Sequence, residues 1–540
     1  MRRVITLLLT LMLVLSARAE DGSRLWLRYE TANKVKVSGT DCLAAGELRQ
    51  YYNGPEVTLT IDASLPEDAY QISSENGKTI VRAKDHQGLL YGAYALLRSQ
   101  KDPSAIRQGI VEKPFFKYRI LNHWDNLDGS IERGYAGRSI FWDLDGDQPK
   151  AIDARLMKEY ARANASIGIN GTVLNNVNAS PKMLSAPYID KVKEIADILR
   201  PYGIKVYLSV NFASPMTIPA KGFNGGKPLK TADPLNTKVK AWWKAKAKEI
   251  YAQIPDFGGF LVKANSEGQP GPFDYKRTHA DGANTLAEAL KPFGGIVMWR
   301  SFVYGAAHKG EDRVKQAVSE FKDLDGKFLD NVILQSKNGP LDFQPREPYA
   351  PIFDNMRQTS QMAELQITQE YLGQSRHLVY LAPMWREFFG FVEPSRLVGI
   401  AGVANIGLDK NWCGHHFSQA NWYAFGRLAW NPNLTSEAIA EEWLKATFNL
   451  GSAAANSSLF TLHSSLLNIM LRSREACVDY MMPIGLHHIF AFDEHYGPEP
   501  GGFIARYPIE WCPVYYHKAN NDSIGFDRTH TGSDATSQYR

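Results

Sequence analysis

Residues 261–270 read LVKANSEGQP: an apolar entry, then Lys263, a short polar run, Glu267, and a stop made of glycine and proline. The pattern of a β-rich run ending in charge recurs along the chain. GGIVMWR ends in Trp299 and Arg300, NVILQSK in Lys337 with Asn338 and Asp342 beyond, and AELQITQE in Gln369 and Glu370. YRILNHW ends in His123 and Trp124, followed by Asp125 and Asn126. Three cations, Lys263, Arg300 and Lys337, and three carboxylates, Glu267, Asp342 and Glu370, therefore gather at strand ends. Any one of them reads equally well as half of a capping ion pair. As a set they point to chemistry. Cations at three successive strand ends repel one another unless an anion sits among them, and a carboxylate held by one arginine and two lysines meets that need. The acids suit glycoside hydrolysis, which takes one protonated carboxyl for the leaving oxygen and a carboxylate across the ring to activate water or attack carbon. Glu267 is placed to face either Asp342 or Glu370.

Other residue types say less. Trp124, Trp142, Trp299, Trp385 and Trp412 offer apolar faces for sugar rings near these ends, although large aromatics more often fill cores. His415-His416 and His487-His488 lack the i, i+4 spacing and carboxylate partners of a zinc helix, so no metal site is read. The four cysteines, Cys42, Cys413, Cys477 and Cys512, show no CxxC spacing. They indicate neither zinc nor a dense disulfide framework, and one bridge among the last three stays open in an oxidising compartment.

Strand ends converge only if the fold brings them together. From about 24 to 112 the chain reads as a small α+β unit. VTLTID (57–62) and YQISSENGKTIVRA (70–83) are strands, the second a hairpin turning at Asn76-Gly77, and QGLLYGAYALLRSQ (87–100) has helical spacing. Together they make two layers. From about 117 to 408 short β-rich runs alternate with amphipathic helices, at 118–124, 168–176, 204–210, 257–264, 294–300, 331–337, 363–370 and 398–407. LVYLAPMW (378–385) is ambiguous and competes for the last strand. Such alternation without a glycine-rich phosphate turn after the first strand predicts a (β/α)8 TIM barrel, whose active site lies at the C-terminal strand ends. SQANWYAFGRLAW (418–430) and SEAIAEEWLKATF (436–448) are helical. The predicted class is thus α/β: residues 20–115 an N-terminal α+β domain, 116–410 the barrel, and 411–540 a mainly helical C-terminal domain.

Composition sets outer limits. A chain of 540 residues, 44% hydrophobic, is globular and large enough for two or three cores. Sixty-one basic against 57 acidic residues give +4 with the signs interspersed, so no nucleic-acid or polyanion surface is indicated. Arg2 and Arg3, the apolar run Val4 to Leu15, and Ser16-Ala17-Arg18-Ala19 read as a signal peptide over residues 1–19. That run is shorter than the roughly 20 residues that cross a bilayer, so no stable membrane insertion is expected after cleavage.

Five blocks carry a specific resemblance: LNHWDNLDGSIERGYAGRSIFW (121–142), GGFLVKANSEGQPGPFDYKRTHADGANTLA (258–287), GGIVMWRSFVY (294–304), SKNGPLDFQPREP (336–348) and ELQITQEYLGQ (364–374). They resemble the signature blocks of the family 67 α-glucuronidases, over a stretch from the first domain to about residue 530. The resemblance implies the same three-part fold. It also implies inverting, cofactor-free removal of α-1,2-linked glucuronic acid, or its 4-O-methyl ether, from xylo-oligosaccharides. Carried over by position, Glu267 is the general acid, and Asp342 and Glu370 share the general-base role. Lys263, Arg300 and Lys337 hold the uronate carboxylate, while Glu132 and Arg133 contact sugar hydroxyls or order that wall. Trp142, at the end of the first block, joins them as a substrate-binding residue. Inversion implies acid and base carboxyls roughly 6.5–9.5 Å apart, against roughly 5–5.5 Å for a retaining pair. Short oligosaccharide substrates favour the periplasm as the destination.

One departure is visible. Family members continue past the equivalent of GFDRTHTGSDATSQYR (525–540), so the helical domain reads as shortened, with consequences for folding, activity or homodimerisation if the further helices pack on the barrel. A β-hexosaminidase would offer an adjacent Asp-Glu pair and gain nothing from three cations. A non-catalytic or truncated, inactive protein that binds acidic oligosaccharides is the alternative: retention of all three acids argues against it, and the abrupt C-terminus argues for it.

Overall fold

Asn76 and Gly77 both take positive φ, 51° and 75°, the conformation a two-residue hairpin turn with the right twist requires. In the computed structural model, which describes residues 21–32, 35–302, 311–343, 345, 349–448, 457–481, 529–532 and 534–539, this turn joins two strands of a five-stranded sheet. The segment comprises β1 (Val37–Gly39), α1 (Leu43–Tyr51), β2 (Val57–Ile61), β3 (Tyr70–Glu75), β4 (Lys78–Ala83), α2 (His86–Ser99) and β5 (Val111–Glu112). Sheet order is β1-β2-β4-β3-β5, with β3 antiparallel to both neighbours and the rest parallel. α2 is capped by Asp85, whose carboxylate accepts the Gly88 amide at 2.7 Å, and Gly88 lets the helix lie close: a Cβ there would stand 2.3 Å from the Ala69 carbonyl oxygen. Three elements went unread in the sequence, β1, α1 and β5. Each is short, and α1 starts at Cys42 with no side-chain cap.

The next segment alternates strand and helix: β6 (Tyr118–His123), α3 (Ala154–Ser166), β7 (Gly171–Val173), α4 (Ala186–Leu199), β8 (Lys205–Ser209), α5 (Thr237–Gln253), β9 (Gly259–Val262), α6 (His279–Leu290), β10 (Ile296–Arg300), α7 (Arg313–Phe321), β11 (Val332–Lys337), α8 (Ile352–Asn355), β12 (Gln361–Gln366), α9 (Ala382–Phe391) and β13 (Leu397–Ala404). All eight strands are parallel and close on themselves, β13 pairing with β6 and β6 with β7. The eight expected strands all form. They were legible because parallel strands covered on both faces read as near-continuous apolar runs. LVYLAPMW resolves as the entry to α9, with Pro383 in the first turn, where proline's fixed φ suits a helix start.

Beyond the barrel stand α10 (Gln419–Trp430), α11 (Ser436–Thr447) and α12 (Ser457–Met481). The expected signal peptide, His487-His488 and Cys512 lie outside the described residues. Cys42, Cys413 and Cys477 are free thiols. Long-range bonds tie the parts together. Buried Arg119 at the foot of β6 donates to Gly168 O, Phe116 O and Asp68 Oδ2, the last at 2.9 Å in the N-terminal unit. Trp26 donates to Ser166 Oγ at 2.8 Å and packs edge-on against Trp422 of α10.

Candidate active site

β9 delivers Lys263 to the barrel mouth, where it is 4% exposed, and the chain then folds back on itself. Asn265 and Glu267 take φ of 51° and 49°, left-handed values that cost a non-glycine residue roughly 1–2 kcal/mol each. The Asn265 side chain holds the bend: its Oδ1 accepts from the Phe273 amide at 3.0 Å and its Nδ2 donates to Asp274 Oδ1 at 3.1 Å. Asp274 in turn accepts the Gly271 amide at 3.0 Å, and a Cβ on Gly271 would collide with Asn265. The glycines and proline of this stretch thus serve a cross-braced loop that presents Glu267. Left-handed backbone also occurs at Asp342 (53°) and Arg133 (58°). Such strain collects where the surrounding fold over-determines a functional geometry.

Three ion pairs line the mouth. Lys263 Nζ is 2.5 Å from Glu267 Oε2 and 2.9 Å from Asn178 Oδ1. Lys337 Nζ pairs with Asp342 Oδ1, whose other oxygen accepts from the Tyr371 hydroxyl at 2.6 Å. Arg133 Nε donates to Glu370 Oε1 at 2.5 Å, and Gln366 Nε2 to Glu370 Oε2 at 2.8 Å. Asn176 and Asn178 both donate to Glu132 Oε2 at 2.9 Å, so Glu132 and Lys263 share Asn178. Burial pushes the Glu267 carboxyl up, but the charge and hydrogen bond of Lys263, helped by Lys337, outweigh it and hold the group below the ordinary glutamate range. Lys337 shifts down, chiefly because it is buried with its ammonium against the rings of Phe302 and Phe343.

Glu364 is the residue that sequence reasoning missed. Fully buried on β12, it accepts from Arg300 Nε at 2.8 Å and Nη2 at 2.7 Å, and from Gln335 Nε2 at 2.6 Å. Register explains the bridge: Arg300 pairs with Gln335 across β10 and β11, and Glu364 with Lys337 across β11 and β12. The expectation that a ligand must neutralise Arg300 is therefore corrected, because the protein supplies that anion itself. Burial alone would push the Glu364 carboxyl up, and the Arg300 guanidinium more than reverses this. The signal was present in the sequence: a glutamate inside an otherwise uncharged strand needs a buried cation.

The structure brings Glu267, Asp342, Glu370, Lys263, Arg300, Lys337, Glu132 and Arg133 to one mouth. Glu267 feels the charges of Lys337 and Asp342, and Arg300 those of Glu267 and Asp342. Trp124 is there too, its ring centroid 6.0 Å from the Arg300 guanidinium carbon. Trp142 is a correction. It is 1% exposed, donates to Leu174 O at 2.6 Å and packs on Tyr188, so it is core and not a sugar platform. Trp299 and Trp385 are fully buried, and Trp412, 4% exposed, donates to Ser23 O. Their size and apolarity earned them interior positions. Asn178 and Tyr371 also escaped notice, being polar residues outside the charged pattern.

Comparison with known proteins adds a family context. Residues 98–412 match the glycosyl hydrolase family 67 middle domain, and 413–540 the glycosyl hydrolase family 67 C-terminus. "Alpha-glucuronidase A" of Emericella nidulans is 38% identical over 97% of this chain and 68% of its own length. "Probable alpha-glucuronidase A" of Aspergillus clavatus is 42% identical over 96% of this chain, which spans 62% of that relative. Among solved structures, a GH138 enzyme targeting pectin rhamnogalacturonan II superposes with a TM-score of 0.50 at 14% identity, covering 84% of this chain and 56% of the other, a likeness of fold alone.

Proposed function

Since the chain belongs to glycosyl hydrolase family 67, we propose that it is an exo-acting, inverting glycoside hydrolase releasing α-1,2-linked glucuronic acid, or its 4-O-methyl ether, from xylo-oligosaccharides. The observation that carries this reading is the trio of mouth carboxylates, each paired with a different cation. Glu267, 46% exposed on its braced loop, is the general acid that protonates the glycosidic oxygen. Asp342 and Glu370 are the general base. Each keeps a neutral second donor, Tyr371 or Gln366, which favours the ionised state that draws a proton from water. Lys263, Lys337 and Arg300 hold the uronate carboxylate, Arg300 through its field and through the edge not taken by Glu364. Glu132, fixed by two asparagines, accepts from a sugar hydroxyl, and Arg133 orders that wall through Glu370. No cofactor takes part. Residues 1–19 direct export, and short oligosaccharide substrates suit the periplasm.

The test is release of free glucuronic acid from aldobiouronic and aldotriouronic acids by the purified chain, with proton NMR reporting the anomer first formed. The β-anomer is expected, and Glu267→Ala should lower turnover on these natural substrates by at least about 100-fold. A folded chain that binds these acids without cleaving them would be a binding protein instead.

A further inference from the structure

Each cation proposed to hold a uronate already has a carboxylate: Arg300 has Glu364, Lys337 has Asp342 and Lys263 has Glu267. Arg133 is likewise taken by Glu370, and Glu132 adds a fifth carboxylate held by amide donors. With every group ionised this set is negative before any substrate arrives. A sugar carboxylate must therefore take a cation from a protein carboxylate, and the added negative charge is relieved most simply by one proton.

Geometry selects where that proton goes. Glu364 and Glu370 are 0% and 4% exposed, Asp342 is 17% exposed, and Glu267 is 46% exposed. Asp342, Glu370 and Glu364 keep the Tyr371, Gln366 and Gln335 donors if their cations move. Glu267 faces Lys263 from its own loop, Lys337 and Asp342 from the end of β11, and Arg300 from β10. Its hydrogen bond is to Lys263, whose ammonium can swing toward an arriving anion while keeping Asn178.

Resting on the proposed function, we propose that Lys263 couples recognition to catalysis: the sugar's own carboxylate draws the ammonium away from Glu267, and Glu267 then takes one proton from solvent. The anionic substrate thereby puts its general acid into the protonated form that glycoside cleavage needs. A neutral sugar leaves Lys263 on Glu267, and the carboxyl stays ionised without the proton it must give. Discrimination against glucosides would then appear in kcat as well as in binding.

The experiment is calorimetric titration of the full chain with D-glucuronate near pH 6, in buffers of differing ionisation enthalpy, which yields the protons taken up per molecule bound. Linkage requires uptake approaching about one proton between the free and bound titration points of Glu267. Glu267→Gln should bind glucuronate with uptake abolished. Lys263→Met should bind more weakly and also lose the uptake, since its Glu267 is protonated beforehand, and the basic limb of its kcat/KM profile should move to higher pH. Glucuronate binding without proton uptake, or uptake that persists in Glu267→Gln, overturns the coupling while glucuronic acid release, measured in parallel, leaves the proposed function standing. Absence of both binding and release overturns the two together.

Discussion

Glu364 touches no solvent, yet it decides how Arg300 behaves. A buried ion pair gives little net stability over an apolar pair of similar volume, but removing one partner strands the other charge at about 3–5 kcal/mol. Glu364→Ala should therefore lower unfolding stability by about that amount, measured as a shift in urea midpoint. The double variant Arg300→Met, Glu364→Leu should recover most of it while weakening glucuronate binding. If the double variant keeps full affinity, Arg300 has no part in holding the uronate. This pair also marks what was legible residue by residue. Lys263, Arg300, Lys337 and the three acids stood out because charge at the end of an apolar run is conspicuous. Glu364 sat two strands from Arg300, and only the register of β10, β11 and β12 brings them together. Trp142 misled for the opposite reason: its type suits a sugar face and a core equally, and side-chain direction is set by packing.

The barrel strands could be read from their apolar runs, whereas the loop after β9 could be read only in part. Glycine and proline announced that the strand stops, but nothing in LVKANSEGQP announced left-handed backbone at Asn265 and Glu267. That conformation comes from contacts eight and nine residues ahead, where Phe273 and Asp274 engage the Asn265 amide. The function of the element follows from this brace. Asn265→Ala removes both contacts while leaving every charged group in place, so the loop should relax and Glu267 should drift from the scissile oxygen. A displacement near 1 Å is enough for a loss of about 100-fold in kcat, with KM for an aldobiouronic acid changing much less. Asn265→Gly, which tolerates the backbone but also lacks the amide, separates the two causes: if it restores activity, left-handed strain and not the brace was limiting. A KM increase with kcat unchanged in Asn265→Ala would mean that the loop binds substrate and does not aim the acid.

At the scale of the molecule, the N-terminal sheet, the barrel and the C-terminal helices meet through buried charges, and this makes their union sensitive to acid. Glu442 on α11 accepts from Arg427 Nε of α10 at 2.7 Å and from the Tyr423 hydroxyl, and it feels Arg98 of α2. Arg98 itself donates to Ser166 O at the end of α3, at 2.7 Å. Burial would raise the Glu442 carboxyl, yet Arg427 and Arg98 pull it below the ordinary range, as Arg300 does for Glu364. A carboxyl whose folded pKa lies below its unfolded value binds fewer protons folded than unfolded. Its contribution is thus fully present above the unfolded value of about 4.3 and is lost as pH falls toward the folded one. Unfolding stability should stay level from about pH 7 to 5 as far as these two groups set it, then fall as the medium becomes more acidic. Glu442→Gln should be less stable at neutral pH and show a flatter decline below about pH 4.5, because the group that titrates is gone. Urea midpoints at a series of pH values check both statements. A Glu442→Gln curve parallel to the wild type throughout would mean that this junction carries none of the acid sensitivity, which would then rest on Glu364 and the mouth.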